Sequence, residues 1–326
     1  MARAGSGDVK PATINDVAAA AGVSRQTVTR AMNDLPDVSP ATKRRVQEAA
    51  AALRYRPNRA AQRLVRGGDV TIGFVVGDLR NPYYPELATE LTHRAAERDW
   101  GVVMTDVSGR RGTERVESIV GRVDAVVGHL ARRHRDLVTS RVPTVLLSDD
   151  PVESGAGVRF EYASAMNDAV SHLVASGRQR IAMIDASHGP SLRYRLLVSA
   201  LEDHGLSAQA VVPAADTHQG GVAAVAQLME RAPQVDAVLC FNDVLAVGAL
   251  KGFALAGIRV PDDVAVIGVD GLDIGTLVTP ELTTLALDTA ELAAHAIDLV
   301  DAVLRGDTGE RLHRSIAHTL LIRESA

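Results

Sequence analysis

The sequence predicts a small all-α head followed by an α/β body whose parallel sheets are shared between two lobes. The first sixty residues are dense in helix-capping residues at short spacing. From Val70 onward, apolar strand-like runs alternate with amphipathic helical stretches, and such alternation implies parallel sheets with helices on both faces. The charge also changes sign between the two parts. Residues 1–68 carry 12 Lys and Arg against five Asp and Glu, +7, which leaves −12 on the rest of a chain with net charge −5.

In the head, Thr13 caps a helix that begins at Ile14, with Asp16 completing a Thr-x-x-Asp box. Ile14, Val17, Ala18 and Ala21 fall on one face, and Gly22 interrupts the helix. Ser24 opens a second helix, Arg25–Met32, with Val28 and Met32 inward. Ser39-Pro40 starts a third, because proline suits the first helical position; it buries Val46, Ala49, Ala50 and Leu53. Three short helices with a glycine turn between the first two make a compact DNA-binding arrangement. Pro57-Asn58 marks a boundary, and a short basic stretch runs on to Gly67-Gly68.

In the body, the strand-like runs are Thr71–Val76, Gly101–Thr105, Ala125–Gly128, Thr144–Leu147, Arg180–Ile184, Val235–Phe241 and Val264–Val269. Helical stretches between them include Tyr84–Arg98, Ala163–Ser176, Leu192–His204, Val222–Arg231 and Val244–Ala256. Some 250 residues of this pattern is long for one sheet, so two lobes are expected.

Composition narrows the function. Hydrophobic residues at 46% and charged ones at 23% are ordinary for a soluble globular protein. Aromatics make up only 3%, so an aromatic pair outside the core pattern is informative. Cys240 is the only cysteine, which fits a reducing compartment, and neither an export-type apolar segment nor a membrane-length run occurs, so the cytoplasm is the expected location. No Ser/His/Asp or metal-ligand spacing is present, and no phosphate-cradling glycine loop follows a strand, so neither an enzyme, a cofactor nor a metal is expected. His93, His129 and His134 read as surface or strand-end residues. A basic head on an acidic body suits a nucleic-acid contact segment fused to a sensor.

The run Thr13-Ile14-Asn15-Asp16-Val17-Ala18-Ala19-Ala20-Ala21-Gly22-Val23-Ser24-Arg25-Gln26-Thr27-Val28-Thr29-Arg30-Ala31-Met32-Asn33 closely resembles the N-terminal signature of the lac-repressor family. The likeness continues through Val38–Thr42 and Leu53–Asn58, then more weakly over nearly the whole chain. Independently of it, Gly22 permits the tight turn that lets a second helix stand away and enter a major groove. At the start of that helix, Arg25 can donate two hydrogen bonds to guanine and Gln26 can pair with adenine. Arg30 is a third candidate base or phosphate contact. Thr13, Ser24, Thr27, Asn33 and Ser39 resemble the family's phosphate-facing positions, although Thr13, Ser24 and Ser39 also suit plain caps. Residues 10–56 are the expected DNA-binding domain. Residues 57–68 resemble the family's hinge helix, which implies that Asn58 and Leu64 reach DNA, Leu64 as a wedge between base pairs in the minor groove.

For residues 69–326 the resemblance implies two flavodoxin-like lobes joined by three crossovers, about 70–160 with 288–315 and about 161–287 with 316–326. A ligand is expected in the cleft between them, at the carboxyl ends of strands. Asp78 follows the first strand, then Asn81-Pro82-Tyr83-Tyr84, which resembles the family's Asn-Pro-aromatic-aromatic turn whose rings stack on a sugar or base, although Tyr84 also suits plain core packing. Arg195 matches a family arginine that forks onto ligand oxygens, Asn242 a ligand contact and Asp270 a carboxylate that accepts from hydroxyls; Asp243 reads as a helix cap. The chain departs from the family pattern at several places. Glu161-Tyr162 stands in place of Asp-Asn at the first crossover, and Val198-Ser199 in place of a Gly-aromatic pair. Ser148 stands where an acidic contact is common, with Asp149 adjacent, and Val107–Asp124 is short enough to trim a peripheral helix. Phe160 and Tyr162 supply new pocket walls. The implied protein is a dimeric or tetrameric repressor binding a palindromic double-stranded DNA operator under control of a sugar or nucleoside-like effector, with no membrane partner. The alternative is a small-molecule-binding protein without DNA function.

Overall fold

The computed structural model describes residues 13–32, 38–53, 70–152, 155–186 and 190–326. The chain divides into two compact units at residue 68.

In the first unit, helices α1 (Ile14–Ala21), α2 (Arg25–Met32) and α3 (Pro40–Ala52) close around Val17, Ala18, Ala21, Val28, Ala31, Val38, Val46 and Ala50. Gly22 ends α1 at φ +60°, a left-handed conformation in which a side chain is strained, and the Val23 amide reaches back to the Ala18 carbonyl at 3.0 Å. Ala31 rather than Met32 is the second buried residue of α2, and Leu53, expected inside, is exposed at the end of α3.

The second unit holds two six-stranded sheets. The first runs in the order β11-β5-β4-β3-β1-β2 and is parallel throughout. Its strands are β1 (Thr71–Val76), β2 (Gly101–Asp106), β3 (Ala125–Gly128), β4 (Thr144–Ser148), β5 (Ala156–Glu161) and β11 (His313–Ala317). Helices α4 (Tyr83–Ala96), α5 (Gly112–Val120), α6 (Arg132–Thr139) and α11 (Thr289–Arg305) cover it. The short Val107–Asp124 stretch still holds the nine-residue α5.

The second sheet runs β12-β10-β9-β8-β6-β7, parallel except for β12 against β10. Its strands are β6 (Ile181–Asp185), β7 (Val211–Pro213), β8 (Ala237–Cys240), β9 (Ala265–Asp270), β10 (Thr283–Ala286) and β12 (Thr319–Leu321), with helices α7 (Ala163–Ala175), α8 (Leu192–Asp203), α9 (His218–Arg231) and α10 (Asp243–Leu255). Strands β1, β3, β4, β6, β8 and β9 are buried almost throughout, which is why their sequences read as unbroken apolar runs.

The chain passes between the sheets three times: from β5 to α7 through Tyr162, from β10 to α11 through Leu287 and Asp288, and from β11 to β12 through His318. Each lobe reverses its strand order beside its first strand, and in such sheets ligands collect outside the carboxyl ends. One close approach fixes the ends of β9 and β10. Asp243 Oδ2 accepts from the Gly271 and Leu272 amides at 2.9 and 2.8 Å, and Oδ1 accepts from Thr284 Oγ1 at 2.7 Å. A Cβ on Gly268 would stand 2.1 Å from that Oδ1. Gly268→Ala is therefore expected to lower stability by about 2–4 kcal/mol, through overpacking and the loss of hydrogen bonds to a buried carboxylate, read as the urea midpoint.

Candidate functional site

Each unit presents one candidate functional surface. On the head, α2 turns Val28 and Ala31 inward and leaves Arg25, Gln26 and Arg30 exposed along its outer face. Ser24 Oγ accepts from the Thr27 amide at 3.1 Å and lies 2.9 Å from Thr27 Oγ1. Ser39 Oγ accepts from the Thr42 amide at 3.2 Å, and the Thr13 amide and hydroxyl both donate to Asp16 Oδ2, at 2.7 and 2.8 Å. Thr13, Ser24 and Ser39 are thus helix caps in this structure. Asn33, Asn58 and Leu64 lie outside the described residues, as does the whole 57–68 segment.

On the body, a cavity of about 330 Å³ opens between the lobes at the carboxyl ends of their strands. Its walls hold Tyr83, Tyr84, Phe160, Tyr162 and Phe241, five of the ten aromatic residues in the chain. The rings touch in sequence. Tyr83 and Tyr84 meet edge-on at 5.3 Å, and both meet His129, at 5.6 and 5.7 Å. His129 stacks on Phe160 at 5.3 Å, and Tyr162 stacks on His318 at 4.1 Å. Tyr83 Oη also lies 3.2 Å from His129 Nε2.

The polar groups centre on Arg193. Its guanidinium lies over the Phe241 ring at 4.2 Å and the Tyr162 ring at 4.9 Å. Nη1 donates to the Phe241 carbonyl, Nη2 donates to Tyr162 Oη at 2.9 Å, and Nε is buried without an acceptor among the described residues. Asp270 Oδ1 stands 3.9 Å from Nη2. Burial, against the pull of Arg193 and with Asp243, Asp216 and Asp149 nearby, pushes the Asp270 carboxyl well above the usual carboxylate range. Burial likewise pushes Asp243 up to about 7 despite its three donors. Asp270 sits at φ +119°, a strained backbone for a non-glycine residue. Tyr162 Oη donates to Asp149 Oδ1 at 2.7 Å, and Asn242 Nδ2 donates to Asp216 Oδ1 at 2.6 Å.

Of the residues expected in the cleft, Tyr83, Tyr84, Ser148, Phe160, Asn242 and Asp270 line it. Ser148 Oγ accepts from the Asp150 amide at 3.1 Å, and Asn242 caps α10 by accepting from the Leu245 amide at 3.0 Å, the cap expected of Asp243. Two expectations are corrected. Asp78 is not in the wall; it closes its own turn by binding Arg80, whose amide and Nε both lie 3.0 Å from Oδ1. Arg195 is exposed and donates to the Pro190 carbonyl at 2.8 Å. Residues two apart on a helix are about 200° apart around it, so when Arg193 faces the cleft Arg195 faces away. Arg193, His129, His318, Asp149, Asp216 and Arg135 are in the wall without having been singled out as contacts. His129 does follow β3, but it faces the cavity, and His134 is buried rather than on the surface.

Residues 13–58 match the model of bacterial regulatory proteins of the lacI family, and residues 170–326 match a periplasmic binding protein-like domain. The transcriptional regulator CelR of Thermobifida fusca is 31% identical, with 96% of this chain and 98% of that protein aligned. The chain belongs to the LacI family. A LacI-family regulator from Arthrobacter sp. FB24, solved in complex with lactose, superposes with TM-score 0.73 at 33% identity, covering 79% of this chain and 100% of that one. The lac repressor dimer, solved with operator and the anti-inducer ONPF, superposes with TM-score 0.68 at 27% identity over 97% and 99% of the two chains.

As a LacI-family protein the chain is a DNA-binding transcriptional regulator and not an enzyme. Among the described residues no helix is long and apolar enough to cross a membrane, and no cluster of three side chains would hold a metal. The family cleft carries a pH signature in this chain. His318 donates from Nδ1 to the Glu161 carbonyl at 3.2 Å, and burial pulls its pKa from 6.5 down to about 4. Between those values the unfolded chain binds the extra proton, so His318 costs stability as pH falls from 6.5 towards 4. At ~1.36 kcal/mol per unit this amounts to roughly 3 kcal/mol. Burial lowers His129 to about 4 as well, so His318→Gln is expected to remove about half of the slope in that part of the unfolding free energy plotted against pH.

Proposed function

We propose that this protein represses transcription by binding a palindromic operator as a homodimer, and that a sugar in the interlobe cleft sets its affinity for that operator. The aromatic cavity around Arg193 and Asp270 carries the reading. A sugar offers apolar C–H faces to rings and hydroxyls that both donate and accept, and the wall presents rings, a guanidinium, carboxylates and an amide together. That a LacI-family relative was solved in complex with lactose supports it. On the head, α2 enters the major groove, with Arg25 and Gln26 reading bases and Arg30 a base or a phosphate; Thr13, Ser24, Thr27, Asn33 and Ser39 face the backbone. Residues 57–68 link the units, with Asn58 and Leu64 at the minor groove. The protein works in the cytoplasm, where its DNA target is.

Closure of the lobes around ligand changes the geometry delivered to the two heads of a dimer. A ligand moves that balance only by its differential affinity for the two states. A thermal-shift screen of the full-length protein tests the effector class, with neutral sugars, nucleosides and sugar acids as probes. A neutral mono- or disaccharide is expected to raise the melting temperature, and Asp270→Ala to abolish the shift. A shift from nucleosides alone would move the assignment to a base stacked on the rings.

A further inference from the structure

We propose that Tyr162 determines which effectors the cleft accepts, its ring closing the hinge side of the cavity and its hydroxyl holding Arg193 in position for ligand. This rests on the cavity being the effector site. Tyr162 occupies the first passage between the lobes, and the residue stacked on it at 4.1 Å, His318, occupies the third. Among the described residues it is the largest fully buried side chain, and its ring lines the cavity. Phe160 meets both rings edge-on, at 6.5 and 6.2 Å, and braces the stack from β5.

The hydroxyl joins three parts of the fold. It donates to Asp149 at the end of β4 in the first lobe and accepts from Arg193 on α8 in the second. Arg193 therefore has two fixed acceptors, the Tyr162 hydroxyl and the Phe241 carbonyl, and stands back from Asp270 at 3.9 Å. A direct ion pair closes to less than about 3 Å. The phenol thus keeps the guanidinium and the Asp270 carboxyl apart, leaving room between them for a hydroxyl that bridges both. Without it, Arg193 is free to collapse onto Asp270, and the two groups then satisfy each other instead of the ligand.

Two variants separate ring from hydroxyl. Tyr162→Phe keeps the stack and removes the acceptor; Tyr162→Ala removes both. Calorimetric titration of the full-length proteins with glucose, galactose, ribose, lactose and cellobiose gives the affinities. Tyr162→Ala is expected to shift the ratio of disaccharide to monosaccharide affinity about tenfold or more towards the larger sugars. Tyr162→Phe is expected to keep that ratio but weaken every sugar about tenfold. A ratio unchanged in Tyr162→Ala overturns the selectivity role. Crystal structures of the wild type and Tyr162→Phe test positioning without any ligand. Arg193 Nη2, freed of the Tyr162 hydroxyl, is expected to close into direct contact with Asp270 Oδ1, and an unmoved guanidinium overturns the positioning role. Should no sugar bind the wild type, the sugar assignment fails, and those two structures still decide whether Tyr162 holds Arg193.

Discussion

Arg193→Ala is expected to weaken effector binding about a hundredfold or more, while Arg195→Ala leaves it unchanged. The guanidinium is buried between two rings and supplies the charged hydrogen-bond donors nearest Asp270. Its removal deletes charge-assisted bonds to the ligand and leaves Tyr162, Asp149 and Asp270 without their cation in a low-dielectric cleft. Stability falls in the same variant, by about 3–5 kcal/mol as for other broken buried charge networks. Arg195 is exposed and bonds a local carbonyl, so its loss stays within roughly ±0.5 kcal/mol of wild-type stability. Titration with the best sugar from the thermal-shift screen, alongside urea unfolding, measures both. Equal losses from the two variants would mean that the cleft is not where the effector binds.

The second large effect falls on the head. Arg25→Ala is expected to cost about 1–3 kcal/mol of operator binding, about five- to 150-fold in affinity, and to relax preference at one base pair of each half-site. Arg25 stands exposed in the first turn of α2, a helix fixed from the other side by Val28 and Ala31. Its replacement therefore leaves the fold of the head intact. Binding-site selection with the wild type and the variant gives the readout, and an identical selected sequence would remove Arg25 from the base-reading set.

Much of this was legible in the sequence because the signals were local. The caps at Thr13, Ser24 and Ser39 sit next to the helices they start, and Gly22 marks its turn by its own conformational freedom. Strands β1 and β3 are unbroken apolar runs because both their faces are covered. Strands β5, β7, β10, β11 and β12 were not legible; β7 and β12 are only three residues long, and the other three fail for complementary reasons. The middle of β5 carries the exposed Arg159, β10 is four residues long, and β11 lies at a sheet edge with its polar side chains outward.

In the cleft, residues at strand ends were readable, since sheet topology places Asn242 and Asp270 there whatever the neighbouring lobe does. The choice between Arg193 and Arg195 turned on which face of α8 meets the cavity. Nothing local states that, although the apolar spacing of Leu197, Ala200 and Leu201 with position 193 points to it. His318 had no signal at all, being a single residue between two short strands whose pairing is set by distant segments. Tyr162 was legible as a departure from the family pattern and a pocket wall, but its partnership with Asp149 and Arg193 exists only once the lobes come together.

The proposed function requires that the cleft and the operator-binding head be thermodynamically linked. Operator affinity of the full-length protein, measured by fluorescence anisotropy with and without a saturating sugar that raises the melting temperature, tests it most directly. Operator affinity is expected to change about tenfold or more for the wild type, and not at all for Arg193→Ala at the same sugar concentration. A sugar that binds the cleft and leaves wild-type operator affinity unchanged would contradict it.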